Sequence, residues 1–470
     1  MGSAATKVVG TVVVATVALS AGSFWVGGWV EQVFRDNAAE AARYGFKVTV
    51  IDYQRGVFGA AARTEVVFPS SSGEDPVTML FNHSIQHGPV PAFTAAAHIR
   101  SEPVLPEDSV EQLSEILGGD PRVSEALAID STFNWGGGHS HRIILPKKFE
   151  ATFNGDRESS VRVAWEGIDS EISIYSGQKR LRAKAGIGSL SFIRNVNDKT
   201  RIEQATFDAE IRMDGEKLDI STKFAANKVA TEGDVDKTID KLTLDSQAYV
   251  SDGALGMTVK LAAAGIVREE EAKATIDNSK MTLVFENIDI GVLGAIFNTI
   301  LQADDEQTAL MTAQEQSVKL LQRQPALSIK DASAHWPEGD VALSFRIGYV
   351  GTGNISQFVL ADTDLADITA DWQLSLPRTL ANRLVGEQMY EDEIEANAFD
   401  DGESENEGED EPVRKPTQEQ IDRHIAGMIG SGVLVEKNGM LSLDAVFRKG
   451  ELTLNGKAAP LESLLSLSPF

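Results

Sequence analysis

Two pairs of histidines are the first residues in this chain whose type and spacing suggest chemistry. His83 and His87 stand four apart, and even spacing puts both on one face of a strand. Gly88-Pro89 directly afterwards would end a helix before a zinc site of helical spacing could form. The segment therefore predicts a hydrogen-bonded structural histidine and not a metal ligand. His139 and His141 could share a strand face and hold a metal, but they follow Trp135-Gly136-Gly137-Gly138 and have no acidic third ligand placed by the sequence. They are read as part of a flexible polar loop. Phosphate-cradling motifs are incomplete: Gly186-Ile187-Gly188 and Gly351-Thr352-Gly353 lack a third glycine, and Gly456-Lys457 is followed by Ala458 where a P-loop needs Ser or Thr. With no convergent nucleophile, base and orienting group, the chain is expected not to be an enzyme, and no catalytic residue, metal ligand or cofactor is assigned. The absence of cysteine excludes disulfides, thiolate zinc sites and a cysteine nucleophile.

The elements that must position any site are mostly strands. From about residue 150 to 290 apolar and polar residues alternate with period two, as in half-buried antiparallel strands, unlike the continuous apolar runs of a parallel α/β sheet. Ala205, Phe207, Ala209, Ile211 and Met213 alternate up to a tight turn at Asp214-Gly215, and Leu218, Ile220 and Phe224 resume after it. Val161, Val163 and Trp165 read as one strand, Ile172 and Ile174 as another, and Leu242, Leu244, Ala248 and Val250 lead through Asp252-Gly253 into Leu255, Met257, Val259 and Leu261. Helical periodicity appears around Val110, Leu113, Ile116 and Leu117, from about 290 to 322, from about 380 to 396, and from 417 to 430. The last begins with a capping-box pattern, Thr417 and Gln420. The fold class is thus mainly β with a few helices: large antiparallel sheets behind an N-terminal transmembrane helix.

The transmembrane reading rests on Val8 to Val30, 23 residues without a charge, long enough as a helix to cross a hydrocarbon core of about 30 Å. Lys7 precedes the run, and Trp25 and Trp29 lie near its far end, which favours a cytoplasmic N-terminus and a body outside the cytoplasm. A cleaved leader ending near Ala18-Leu19-Ser20 is the competing reading. The apolar run continues ten residues past that site, so an uncleaved anchor is expected. The chain divides on this reading into the anchor 1–30, an α/β segment 31–130, a β region 131–290, a helical segment 291–325, strands 326–380, helices 381–430 and a C-terminal β-meander with a short helix, 431–470. Twelve acidic and no basic residues fall between 391 and 411, which predicts a solvated, disordered loop. Asp400-Asp401-Gly402 lacks the alternating oxygen ligands of a calcium loop. With 43 basic against 70 acidic residues, the net charge of −27 argues against nucleic acid and against attraction to anionic headgroups. Any membrane contact must be hydrophobic.

Tyr53-Gln54-Arg55-Gly56-Val57-Phe58 and His87-Gly88-Pro89, with Gln324-Pro325 through Trp336, Gly450 to Lys457 and Pro460-Leu461-Glu462, resemble the YdgA/YihF-type proteins of Gram-negative bacteria, a family of unknown function. The resemblance implies an inner-membrane protein with a periplasmic body and transfers no catalytic residue. Physically, Gly56 suits a turn that needs positive φ, with Val57 and Phe58 starting the next strand, and His87-Gly88-Pro89 a second rigid turn. The two turns are expected to lie close together and to hold the first strands in register. Two functions stay open: a scaffold that binds an envelope protein, or binding of lipid or another hydrophobic ligand in an apolar β-groove formed by Phe207, Ile211, Ile220, Phe224 and Met257.

Overall fold

The computed structural model describes residues 27–36, 38–39, 47–68, 77–87, 95–104, 128–136, 138–145, 147–154, 160–175, 179–195, 198–215, 217–233, 236–269, 274–293, 295, 319–351, 365–400, 415–461 and 463. Residues 8–26, the expected helix at 110–117, most of the expected helical stretch 290–322 and the acidic residues 401–411 lie outside them. Among the described residues no helix is long and apolar enough to cross a membrane. The chain separates into two compact units, residues 1–214 with 222–236 and residues 215–221 with 237–470. The division falls inside the stretch read from sequence as one β region.

In the first unit, residues 27–36 form helix α1. Strands β1(Lys47–Arg55), β2(Gly59–Phe68), β3(Val77–His87), β4(Ala97–Val104), β5(Ala128–Phe133) and β6(His139–Ile144) follow as an antiparallel meander. β6 and then β7(Lys148–Asn154) share one edge of the long strand β8(Ser160–Ile174), whose other edge pairs with β9(Arg180–Asn195), and β9 pairs with β10(Asp198–Asp214). The expected separate strands at 161–165 and 172–174 are one strand. Gly167, at φ +67°, and Gly188 opposite it interrupt the pairing between Glu166–Ser189 and Ile168–Ile187 with the register kept, and the apolar positions of β8 switch there from odd to even numbers. Gln204, at φ +49°, stands at the same level in β10, where the pattern Ile202 becomes Ala205, Phe207 and Ala209, again with no shift of register.

After β11(Lys217–Glu232) and β12(Asp236–Ser251), the left-handed pair Asp252 and Gly253, at φ +54° and +72°, makes the type I′ turn its sequence predicts. In the second unit β13(Ala254–Glu269), β14(Ala274–Asp289), β15(Ala326–Trp336), β16(Gly339–Tyr349) and β17(Ile368–Pro377) pair in order, and β17 pairs with β19(Met440–Arg448). The other edge of β19 carries β18(Val435–Lys437) and β20(Glu451–Leu454), and β21(Lys457–Ala459) pairs with β20. Helix α2(Arg378–Asp400) includes residues 391–400, which the charge run had assigned to a loop. Glu and Ala, which recur there, are strong helix formers and outweigh like-charge repulsion. Helix α3(Gln418–Gly430) starts on the expected capping box: the Gln420 amide donates to Thr417 Oγ1, and the Thr417 amide donates to Gln420 Oε1 at 2.7 Å. Leu380, Val385, Ile425 and Met428 of these helices bury themselves against Leu376, Leu441, Leu443 and Phe447 of the sheet.

Candidate functional site

The histidines of the first unit belong to its structure. β2, β3 and β4 place Thr64, His83 and Ser101 on one face, with Ser101 directly opposite His83 and Thr64 diagonal to it, where His83 Nε2 lies 2.8 Å from Thr64 Oγ1 and Nδ1 2.7 Å from Ser101 Oγ. Burial holds the imidazole pKa down at about 4, so the ring is neutral. The expectation of a hydrogen-bonded His83 agrees with this geometry. His139 and His141 stand in β6 and not in a flexible loop: the glycines end the turn at 138, and Phe133 and Ser131 of β5 fix the register of the two histidines. His141 Nδ1 is 2.7 Å from Ser131 Oγ, its ring packs 5.1 Å from that of His139, and burial first, then His139, lowers its pKa to about 4. Among the described residues no group of three potential metal ligands converges.

The residues of the Tyr-x-Arg-Gly-Val-Phe segment and His87 converge on α1. An added Cβ on Gly27 would lie 2.5 Å from the His87 ring, and one on Gly28 2.8 Å from Arg55 Nη1. Only bare backbone lets α1 approach that closely. One turn on, Glu31 pairs with Arg55 at 3.7 Å, and Val30 is 3% exposed in a small core with Ala62, Ile85, Ala97 and Ile99. Phe34 completes the seat between Tyr53 and His83, with ring centroids at 5.9 and 5.1 Å. Burial, followed by Glu31, raises the Tyr53 pKa to about 12. Gly27, Gly28 and Val30, at the end of the uncharged run, thus pack on the sheet.

The tip of the first turn meets the end of β3, where the His87 amide donates to the Phe58 carbonyl at 3.1 Å, and this first turn differs from expectation in its details. Gly56 does not take positive φ: its amide closes the turn on the Gly59 carbonyl at 2.7 Å, and a Cβ would lie 3.0 Å from that oxygen. β2 starts at Gly59, whose Cβ would collide with the Ile85 carbonyl at 2.5 Å. Val57 and Phe58 are left at the tip, 43% and 50% exposed. Gly88 and Pro89 lie outside the described residues.

Behind this face runs a feature that sequence reading missed. Cross-strand partners form the row Arg100, Asp130, Arg142, Glu171, Lys184, Asp208, alternating in sign across β4, β5, β6, β8, β9 and β10. Its first four members, with Ser84, Gln86 and His98, line a polar cleft of about 530 Å³. The members lie tens of residues apart, so only the register brings them together.

Of the predicted groove residues, Phe207, Ile211 and Phe224 fall in the first unit and Ile220 and Met257 in the second. Phe207 is 39% exposed, and the other four are half-buried. None is an ordinary core position. In the second unit, pairing extends Met257 into the row Phe285, Leu327, Ile347, Ala370, Phe447. A parallel row runs Val259, Leu283, Ile329, Phe345, Trp372, Ala445. At the β19 end, under α2 and α3, Phe447 is 8% exposed, whereas Ile347 on β16 is 39% exposed. Two hollows open along this part, which α2 and α3 do not cover. One of about 270 Å³ is lined by Phe285, Ile288, Leu321, Leu327, Ile347 and Tyr349, and one of about 380 Å³ by Leu261, Ile266, Met281, Val341 and Leu343. Their alternation was legible in the sequence. Where the covering helices stop was not.

A mainly antiparallel β protein with an apolar sheet face that α2 and α3 cover at its β19 end, and with no group of three potential metal ligands converging among its described residues, is the class that this geometry defines. The chain matches the model of a family described as "Bacterial protein of unknown function (DUF945)" over residues 5–462, and it belongs to that family. No curated protein and no solved structure matches it.

Proposed function

We propose that this is a non-enzymatic protein of the bacterial envelope, of the YdgA/YihF type, that binds the acyl chains of lipid on the uncapped sheet face of its second unit. The observation that carries this reading is the continuity of the apolar rows from a closed core at Phe447 to an open face at Ile347. An apolar surface of this kind is an aggregation hazard unless something occupies it. An acyl chain suits it better than a polypeptide. A peptide lying on a sheet face would bury amides and carbonyls with no partner there, because a sheet offers backbone hydrogen bonds only at its edges. For that reason lipid binding stands ahead of the scaffold reading.

An inner-membrane anchor and a periplasmic body belong to the same proposal. They are supported by the uncharged run, by Lys7 before it, and by a net charge that leaves hydrophobic contact as the route to a bilayer. Because Gly27, Gly28 and Val30 pack on the body, the proposal assigns the crossing to 8–26, nineteen residues that as a helix would span about 28 Å.

The test compares two substitutions. Ile425→Asp puts a charge at a position that is 0% exposed and should cost several kcal/mol, unfolding the second unit. Ile347→Asp should leave the thermal midpoint nearly unchanged and abolish both co-purified lipid, read by mass spectrometry, and binding of a fluorescent fatty acid. Wild-type protein that carries no lipid and binds no fatty acid would sink the proposal and put the scaffold reading first.

A further inference from the structure

One end of the first unit has an unusual surface. β1 and β5 run towards it, and the turns after them, 56–58 and 134–138, both lie there, beside the His87 end of β3. α1 starts there too, since Gly27 and Gly28 touch His87 and Arg55, while Phe34 lies further in at Tyr53 and His83. The turn and helix-start residues described at this end, 27–29, 56–59, 95–96 and 134–136, carry no charged side chain in a protein of net charge −27, and Arg55, which lies against Gly28 and pairs with Glu31 at 3.7 Å, is a charged group beside them. They include large apolar groups in water instead: Trp29 is 39% exposed, Val57 43%, Phe58 50% and Trp135 50%. The sequence between His87 and Ala95, Gly88 to Thr94, is uncharged as well.

We propose that this end is a bilayer-contact surface: Val57, Phe58, Trp29 and Trp135 enter the interfacial layer of the membrane into which the preceding uncharged segment, 8–26, inserts. Two independent features select a membrane as the occupant. The chain reaches this end directly from nineteen residues without a charge, so a membrane holding that segment begins where α1 begins. The exposed groups are also of the kind that settle at the headgroup level, two tryptophans with an aromatic and an aliphatic residue, without the acidic side chains that elsewhere dominate the surface. The docked glycines give the contact its geometry. α1 is clamped to the sheet within a turn of its start, so the body meets the bilayer by a fixed end and does not swing on a tether. The inference shares the membrane segment with the proposed function and is independent of the lipid-binding face.

The chain has no cysteine, so each introduced one is unique. Full-length protein carrying Val57→Cys, Phe58→Cys, Trp135→Cys or, at the start of β1, Lys47→Cys would be spin-labelled and reconstituted into phosphatidylcholine–phosphatidylglycerol vesicles. At 57, 58 and 135 the ratio of oxygen to nickel-chelate accessibility should rise severalfold over that of the same label in detergent-free buffer, and at 47 it should not change. Protein that floats with vesicles while 57, 58 or 135 stays as open to the nickel chelate as 47 would overturn the contact surface and leave the anchor standing. Protein that fails to float would overturn both. Shielding that is equal with and without lipid would assign the surface to protein contact and overturn the proposal.

Discussion

Single side chains in the first unit carry two kinds of constraint, one titratable and one steric. His83 and His141 have folded pKa values near 4 against 6.5 for an exposed histidine, so between those values the unfolded chain binds more protons than the folded one. Their contribution to stability is complete above about pH 6.5 and is lost as pH falls towards 4, up to about 3 kcal/mol for each ring. Urea unfolding at pH 7 and pH 4.5 should show this loss, and His83→Leu should remove part of the difference. A pH-independent midpoint over that window would show that neither ring is buried in its neutral form. Glu210, held near 2 by Arg180 and then Arg212, acts only below the window and does not confuse it. The steric constraint is at Gly27. Gly27→Ala should cost about 1–3 kcal/mol, because the methyl group meets the His87 imidazole, and most of that cost should vanish in a His87→Ala background. Additive losses in this double-mutant cycle would mean that the two residues do not touch.

Elements were legible where local chemistry alone determines them. Thr417 and Gln420 announced the start of α3, and Thr417→Ala should lower stability by about 1 kcal/mol in thermal unfolding, with no effect expected if the cap were unformed. Asp252-Gly253 announced its turn for the same reason: the residues that accept left-handed backbone are few. Elements misread were those in which a non-local pairing overrides a local pattern. The switch of apolar positions at Gly167 looks like a chain break until β9 is seen to continue past it, and Gly136-Gly137-Gly138 looks like loop until β5 fixes β6 beside it. The acidic half of α2 was lost to a charge count that ignored helix propensity. The site was partly legible: Tyr53, Arg55 and His87 were singled out, but as turn residues. Their contacts with α1 depend on Gly27 and Gly28, which read in the sequence as the tail of an apolar run.

Over the whole chain, charge and apolar surface pull in different directions. A net charge of −27 repels itself in the compact state, while the exposed ion pairs of the sign-alternating row each contribute about 1 kcal/mol or less. Self-repulsion therefore dominates, and raising salt from about 0.02 to 0.3 M, which shortens the screening length, should raise the thermal midpoint. A midpoint that falls with added salt would give the cross-strand pairs the larger share. The bulged residues Asn287 and Asp331 have a different consequence at this scale, one for how such a chain can change. In an unbroken strand, gaining or losing one residue turns every later side chain to the wrong face. A strand that already carries a bulged residue has a place where the count is reset. Single-residue insertions at these two positions, and not elsewhere in the same strands, are the length changes that descendants of this sequence could accumulate without losing either face of the sheet.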